Sequence, residues 1–220
     1  MGYRILVIED DKDIQELVCE FLKIQDYEVE TADDGTEGML KFQNSEFDLI
    51  ILDAMLPKLN GFQLLQMIRS KSQIPILMMT ALDEEMDLIK GFDLGADDYV
   101  TKPFSFNVLI KRVEAILRRA KPHKQSTVQM YKDLVADQER FLVTMAGEPL
   151  EITAKEFEIL FFLMENQGKV LTREILLDKL WGIDFFGNTR IVDAHIKNLR
   201  KKLQGRYVRT IKGVGYTLDD

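Results

Sequence analysis

Hydrophobic and polar positions follow two different patterns over the first 120 residues. Short continuous apolar runs are typical of strands buried on both faces of a sheet, whereas apolar residues recurring every three or four positions are typical of helices. Strands are predicted at 4–8, 27–31, 48–52, 76–79 and 98–100, alternating with helices at 12–24, 36–44, 61–70, 84–94 and 105–119. This order predicts an α/β domain with a doubly wound parallel (βα)5 sheet, whose ligand chemistry belongs at the carboxyl ends of the strands.

The pattern is interrupted after residue 120. Residues 121–127 are polar, include Pro122 and show no periodicity, which is typical of a linker. The chain is long enough for two domains of about 100 residues each. We therefore predict one domain at 1–120 and a second at 128–220.

The second domain begins with four short strand-like pieces before residue 152. Thr153 and Glu156 then have the spacing of a capping box, which predicts the start of a helix that ends near residue 166. The remaining predicted elements are helices at 172–180 and 189–203 and a hairpin at 207–218.

Charge is distributed unevenly, although the net charge is only −8. The first 120 residues contain 23 acidic and 13 basic residues, and the other hundred contain 14 and 16. Within 188–216, eight residues are basic and one, Asp193, is acidic. Such segregation indicates that the acidic domain binds a cation and that the basic segment binds a polyanion. The alternative is that the basic residues only form a solvated helix face.

Several protein classes are excluded by composition. The single cysteine, Cys19, cannot form an internal disulfide, and its apolar neighbours indicate a buried thiol. Charged residues interrupt every apolar run before the roughly 18 residues that a membrane span needs. Acidic residues 9–11 follow the first apolar run too early for a signal peptide, so we expect a cytoplasmic protein.

Carboxylates follow two strands of the predicted sheet, with Glu9 and Asp10 after the first strand and Asp53 after the third. Clustered carboxylates repel one another, which calls for a divalent cation such as Mg²⁺. Two further strand ends bring Thr80 and Lys102, a hydroxyl and an ammonium. Each residue alone is commonly a cap or a loop residue, but together they suit phosphoryl transfer to Asp53.

The passages RILVIEDD, FDLIILDAMLPKLNGF, PILMMTA and GADDYVTKPF resemble the signatures of bacterial two-component receiver domains. The resemblance implies that Asp53 accepts phosphate from a sensor histidine kinase and that Thr80 and Tyr99 form the switch pair. It also implies that Lys102 contacts the phosphate and that the peptide bond between Lys102 and Pro103 is cis. The implied Mg²⁺ ligands are Glu9, Asp10, Asp53 and the backbone carbonyl of Met55. Gly61 either supports the turn after Pro57 or simply marks a helix start.

In receivers of this kind fused to winged helices, the resemblance implies that activation forms a homodimer through 84–94, 98–100 and 105–119. Charged residues at matching positions are Lys90, Asp97, Asp98, Arg112 and Arg119. This chain departs from the pattern where Leu88 and Val108 replace a charged pair. We hypothesise that these two residues pack across the dimer, and the alternative is that both belong to the monomer core.

The helix predicted at 189–203 has two distinct faces. At 100° per residue, Val192, Ile196, Leu199 and Leu203 fall within one sector that must face the core. The opposite side carries Arg190, Lys197, Asn198 and Lys201, flanked by His195 and Arg200. A helix with an apolar back and a cationic front, preceded by another helix, fits insertion into a DNA major groove. Arg209 and Lys212 of the hairpin can reach phosphates or the minor groove.

ITAKEFEIL, LTREILLDKLWG, RIVDAHIKNLRKKL and IKGVGY resemble the winged helix-turn-helix output domain of OmpR/PhoB-type response regulators. The resemblance implies that Asn198 reads a base, preferably adenine, and that Lys212 is a wing contact. Residues 181–188 resemble the stretch that meets RNA polymerase, although Phe185 and Phe186 can equally be packing residues. Most of the other implied contacts are to phosphates, namely Arg190, His195, Lys197, Arg200, Thr210 and Tyr216.

Two enzyme classes and one further regulator class compete with this interpretation. A flavodoxin-like protein needs amides for phosphate after the first strand, where this chain has carboxylates. An Asp-nucleophile phosphatase carries a second Asp two residues after the nucleophile, and here that residue is Met55. A regulator that kept the receiver fold but works without phosphate remains possible. We predict a transcription regulator that is not an enzyme and binds double-stranded DNA at repeated half-sites.

Overall fold

A computed structural model describes residues 2–80, 91–119, 128–182 and 189–218. Its contacts divide the chain into two compact units, residues 1–119 and 120–220. Each unit has its own core of buried apolar residues.

The first unit contains a five-stranded parallel sheet in the order β2-β1-β3-β4-β5. Its strands are β1 Arg4–Ile8, β2 Glu28–Ala32, β3 Leu49–Asp53, β4 Ile76–Thr80 and β5 Asp98–Thr101. The helices are α1 Lys12–Ile24, α2 Gly35–Asn44, α3 Gly61–Arg69 and α4 Phe106–Arg119. Every residue of β3 and β4 is buried, because helices cover both faces of a doubly wound sheet.

Short polar side chains begin the helices that follow the strands. The Asp11 carboxylate accepts hydrogen bonds from two amides of the first turn of α1, and the Asp34 carboxylate does the same for α2. The Asn60 side chain accepts from the Phe62 amide at the start of α3. These caps satisfy donors that a helix leaves unpaired at its N-terminus.

The predicted fold of the first unit is confirmed, and no strand bound differs from its prediction by more than one residue. Strand β3 ends at Asp53, whose Cα pairs with that of Met79, so the carboxylate is carried by the strand itself. Strand β4 likewise includes Thr80. Residues 81–90, which hold most of the helix predicted at 84–94, lie outside the described residues.

The second unit begins with a four-stranded antiparallel sheet in the order β6-β7-β8-β9. A three-stranded antiparallel sheet, β10-β12-β11, closes the unit, and its β11–β12 hairpin is called the wing below. The helices are α5 Ala154–Glu165, α6 Arg173–Trp181 and α7 Arg190–Lys202. The strands are β6 Val128–Tyr131, β7 Leu134–Asp137, β8 Leu142–Met145, β9 Glu148–Pro149, β10 Leu171–Thr172, β11 Val208–Ile211 and β12 Gly215–Leu218.

The predicted capping box is present at the start of α5. The Thr153 hydroxyl accepts from the Glu156 amide, and the Glu156 carboxylate accepts from the Thr153 amide at 2.7 Å. The apolar back of α7 is also confirmed, since Val192, Ile196 and Leu199 are buried. Strand β10 was not predicted, because a two-residue strand has no periodicity to detect.

Candidate functional site

Three carboxylates meet at the carboxyl ends of β1 and β3. Glu9 and Asp53 are buried, while Asp10 is exposed. One oxygen of each lies within 4.8 Å of the others. Parallel strands β1 and β3 are direct neighbours, so their ends bring Glu9 and Asp53 together. All three side-chain donors are hard oxygen atoms, which suits Mg²⁺ or Ca²⁺ better than zinc.

The ammonium of Lys102 bridges the two buried carboxylates. Lys102 Nζ donates to Asp53 Oδ2 at 2.6 Å and to the two oxygens of Glu9 at 2.6 and 2.8 Å. The Lys102 amide donates to the Thr80 carbonyl at 2.7 Å, and the peptide bond to Pro103 is cis, as the resemblance implies. The contacts therefore orient the lysine toward the Asp53 carboxylate from the adjacent loop.

Burial and charge shift the pKa values of this cluster. Burial raises the pKa of Glu9 to about 7, with the neighbouring Asp53 adding to the rise and Lys102 opposing it. Burial alone would lower the pKa of Lys102, but hydrogen bonds to Asp53 and Glu9 outweigh burial and raise it. The negative charge of the pocket is thus only partly neutralised by the lysine, which leaves a reason for a cation.

The backbone around Asp53 admits no larger residue at position 61. The Met55 amide donates to Asp53 Oδ1 at 3.0 Å, which orients the carboxylate. A Cβ on Gly61 would lie 2.0 Å from the Asp53 carbonyl oxygen. Gly61 therefore allows the start of α3 to approach β3 closely, which favours the supporting role over mere helix punctuation.

Thr80 and Tyr99 line one small apolar pocket beside the acidic cluster. Ala54, Phe62 and Phe92 contribute to the same pocket. The Tyr99 ring packs edge-on against Phe92 with centroids 5.1 Å apart, and it is already buried. Burial raises the pKa of the Tyr99 hydroxyl to about 12.

The second candidate site is the basic surface of α7 and the wing. Side chains of Arg190, Lys197 and Lys201 are exposed on α7, and those of Arg209, Thr210 and Lys212 are exposed on the wing. Asn198 and Arg200 are partly buried. An exposed cationic helix beside a cationic hairpin can follow the phosphates of a duplex.

Two predicted DNA contacts lie in the interior instead. The His195 side chain is only 1% exposed and packs against Trp181, with ring centroids 5.4 Å apart. The Tyr216 side chain is 4% exposed and donates to Asp193 Oδ1. Trp181 of α6 covers His195, and Asp193 and Arg200 of α7 contact Tyr216, so both side chains are buried within this unit. Their contacts with phosphate stay predictions.

Comparison with known proteins decides the family. A family model described as "Response regulator receiver domain" matches residues 5–114, and one described as "Transcriptional regulatory protein, C terminal" matches residues 147–218. The regulatory protein VanRB of Enterococcus faecalis is 47% identical, and the match covers 100% of this chain and 99% of VanRB. The chain belongs to the OmpR/PhoB family of two-component response regulators.

Other relatives of this response regulator agree in length and architecture. The alkaline phosphatase synthesis transcriptional regulatory protein PhoP of Bacillus subtilis is 42% identical, over 100% of this chain and 98% of PhoP. The crystal structure of DrrB, an OmpR/PhoB homologue from Thermotoga maritima, is 38% identical over the whole of both chains, with a TM-score of 0.53. The family consists of DNA-binding transcription regulators and not of enzymes. No helix in the described part of the chain is long and apolar enough to cross a bilayer.

Some residues predicted at the dimer face of the response regulator make contacts within their own unit. Asp97 is buried, and its Oδ2 accepts from Arg69 Nη2 at 2.8 Å and from the Ile76 amide at 2.9 Å. Asp98 accepts from Arg112 Nη1 at 2.9 and 3.0 Å. Arg69 was not singled out from the sequence, since nothing in the local pattern pairs it with a residue 28 positions away.

The remaining dimer-face residues are placed only in part. Val108 is 44% exposed, so for this residue the alternative of a core position is wrong. Leu88 and Lys90 lie outside the described residues, and Arg119 is described only as the last residue of α4. Phe185 and Phe186 of the segment that resembles a polymerase contact also lie outside the described residues.

Proposed function

We propose that this response regulator is switched by phosphoryl transfer from a sensor histidine kinase to Asp53. The observation that supports this most strongly is the convergence of Asp53, Glu9 and Lys102, with a Lys102–Asp53 distance of 2.6 Å beside the exposed Asp10. An Asp53 oxygen attacks phosphorus, and the bond from phosphorus to the donor nitrogen breaks. The Lys102 ammonium then transfers its hydrogen bonds to the new phosphoryl oxygens.

Mg²⁺ is the proposed cofactor, because carboxylate and carbonyl oxygens are hard donors of the kind it binds and the exposed side of the cluster leaves room for the waters it keeps. When bound, it would neutralise charge on the transferred phosphoryl group. The residues that would hold it are Glu9, Asp10, Asp53 and the carbonyl of Met55. The Thr80 hydroxyl would donate a hydrogen bond to the phosphoryl group. Tyr99 would then shift within the pocket that it shares with Thr80, in response to phosphorylation of Asp53.

The test is incubation of the full chain with acetyl phosphate and Mg²⁺, followed by intact-mass spectrometry. We expect one phosphoryl group at Asp53, no uptake by Asp53→Asn, and no uptake when a chelator removes the metal. Asp26→Asn is a matched control, since Asp26 is exposed and already at a positive φ that Asn tolerates. Continued release of phosphate from excess acetyl phosphate would instead support a phosphatase.

The proposed output is homodimerisation followed by binding of promoter DNA at repeated half-sites. We propose receiver residues 1–120, a linker at 121–127 and a DNA-binding domain at 128–220 in a cytoplasmic protein. Val108, Asp98 and Arg112 belong to the proposed dimer face, together with Leu88, Lys90, Asp97 and Arg119. The proposed DNA contacts that remain exposed or partly buried are Arg190, Lys197, Asn198, Arg200, Lys201, Arg209, Thr210 and Lys212.

A further partner is RNA polymerase, proposed to meet the segment 181–188. Support comes only from the sequence resemblance of that segment. The test is a pull-down of polymerase with the full chain and with a Phe185→Ala, Phe186→Ala variant. Equal capture by both chains would contradict a contact at these two residues.

A further inference from the structure

Tyr216 occupies the central strand of the three-stranded sheet in the second unit. On β12 it pairs with Leu171 of β10 on one side and with Thr210 of β11 on the other. Strand β10 leads directly into α6, and β11 is the other strand of the wing. A single residue therefore joins the strand before α6 to the wing.

The Tyr216 hydroxyl connects this strand to α7. It donates to Asp193 Oδ1, and the same oxygen accepts from Arg173 Nε at 2.6 Å. Arg173 Nη2 also donates to the Tyr216 hydroxyl at 3.3 Å. Asp193, the only acidic residue between 188 and 216, thus faces two donors from outside its own helix.

A second connection runs from Arg200 of α7 to the wing. Arg200 Nε donates to the Val208 carbonyl at 3.0 Å, and Nη2 donates to Thr210 Oγ1 at 2.7 Å. The guanidinium carbons of Arg173 and Arg200 lie 5.0 and 5.5 Å from the centroid of the Tyr216 ring, within cation–π range. Helix α7 is therefore held to the wing near both of its ends.

These contacts use a different face of α7 from the exposed cations. Asp193 and Arg200 are seven residues apart and fall within about 20° of each other around the helix. Arg190, Lys197 and Lys201 are centred about 70° away on the side opposite the buried Val192. The helix can thus bind the wing and present its cations to DNA at the same time.

We propose that Tyr216 is a positioning residue that fixes the angle between α7 and the wing, with Asp193, Arg173 and Arg200 as its partners. This inference rests on the proposed DNA contacts of α7 and the wing. A duplex offers its two grooves at a set geometry, so a helix and a wing already held at that geometry lose less entropy on binding. Tyr216 acts on the DNA through these two elements and does not touch a phosphate.

Substitution of Asp193 separates a positioning residue from a direct phosphate contact, because only positioning depends on the bond between the Tyr216 hydroxyl and this carboxylate. Binding by the full chain is measured by fluorescence anisotropy over a salt series on two probes, a duplex selected by the unaltered chain from a random pool and a random-sequence duplex of equal length. For Tyr216→Phe we expect the affinity for the selected duplex to fall about tenfold, which corresponds to the loss of one hydrogen bond to a charged group. The random duplex has the same groove geometry, so its affinity should fall by a similar factor, and the salt slope should not change on either probe. Lys201→Ala should instead lower the slope of log affinity against log salt concentration by about one, and it should reduce the affinity for both duplexes equally.

A matched control and a double variant complete the experiment. Tyr207→Phe also removes a tyrosine hydroxyl bonded to an aspartate, Asp133, and should change neither affinity. Asp193→Ala removes the acceptor oxygen and should reproduce Tyr216→Phe, and the double variant should lose no more affinity than either single variant, because both break the same bond.

Two results would overturn the inference. A loss of affinity for Tyr216→Phe with none for Asp193→Ala would make Tyr216 a direct phosphate contact, and unchanged affinity of both variants would make the cluster irrelevant to DNA. If Tyr216→Phe fails to fold, Asp193→Ala alone decides whether the cluster matters to DNA binding. Failure of the proposed DNA binding itself would appear differently, as an unaltered chain that selects no duplex.

Discussion

Lys102 Nζ lies 2.6 Å from Asp53 Oδ2 and 2.6 Å from the nearer oxygen of Glu9, so two buried carboxylates share one ammonium. The three side chains come from the ends of β1 and β3 and from the loop after β5, and they are remote from one another along the chain. Because the lysine supplies positive charge to both buried carboxylates, its loss should make the cluster depend more strongly on the proposed cation.

Replacing Lys102 by Ala should destabilise the metal-free first unit by about 3 kcal/mol, since removal of one partner leaves buried charge uncompensated. Added Mg²⁺ should then raise the unfolding temperature of the variant more than that of the unaltered chain. Thermal unfolding with and without Mg²⁺ measures both effects, and Lys111→Ala, at an exposed position of α4, is the control. Equal Mg²⁺ responses in all three chains would argue against a cation at this cluster.

Replacing Gly61 by Ala should cost about 2 kcal/mol, because the added methyl group would overlap the Asp53 carbonyl and force a backbone shift. The same shift should slow phosphorylation by acetyl phosphate. Chemical unfolding and the rate of phosphoryl uptake test the two effects. Gly91→Ala is the matched control, since a Cβ there meets only the Phe62 ring at 3.5 Å; a Gly61→Ala chain as stable as this control would contradict the close approach.

Replacing Val108 by Asp should leave the stability of the monomer within about 0.5 kcal/mol, as is usual for an exposed position. If Val108 packs across the proposed dimer, the buried carboxylate should weaken dimerisation of the phosphorylated chain at least tenfold. Sedimentation velocity of the phosphorylated chain measures the dimer, and Leu88→Asp should behave in the same way. A dimer that tolerates both substitutions would dispose of an apolar contact between subunits.

Lys197→Ala and Asn198→Ala should weaken DNA binding in different ways. Lys197 is exposed and proposed to contact phosphate, so its loss should lower affinity nearly equally for all sequences. Asn198 is proposed to read a base, so its loss should cost about 1–3 kcal/mol only against the preferred base pair. Binding to a selected duplex and to its single-base variants distinguishes them, and equal losses on every duplex would contradict these roles.

Alkaline pH should weaken the second unit through Tyr216. Burial, with the Asp193 carboxylate adding to it, raises the pKa of the Tyr216 hydroxyl from 10 to about 12. A group whose folded pKa is raised stabilises the fold fully below its unfolded pKa, and this contribution is lost as the pH rises from 10 to 12. The free energy of unfolding can be measured in urea by the fluorescence of Trp181, the only tryptophan in the sequence. Above pH 10, this free energy should fall more steeply with pH in the unaltered chain than in Tyr216→Phe. Parallel pH profiles of the two chains would contradict the raised pKa.

The order of elements and the acidic cluster followed from the sequence alone. Continuous apolar runs identify strands that are buried on both faces, and such strands imply a parallel sheet whose carboxyl ends meet at one edge. Glu9, Asp53, Thr80 and Lys102 stand at those ends, so their proximity needed only the chain order. The buried side of α7 was predicted for the same reason, since Val192, Ile196 and Leu199 recur with the period of a helix.

Contacts between distant elements were decided only by the tertiary structure. The sequence around Tyr216 and His195 indicates polar residues near a basic helix, but whether they face solvent depends on how α6, α7 and the wing pack together. The ion pairs Arg69–Asp97 and Arg173–Asp193 also join residues that are at least 20 positions apart. Periodicity reports which side of one element is apolar, whereas burial of a polar side chain depends on partners that other elements bring to it.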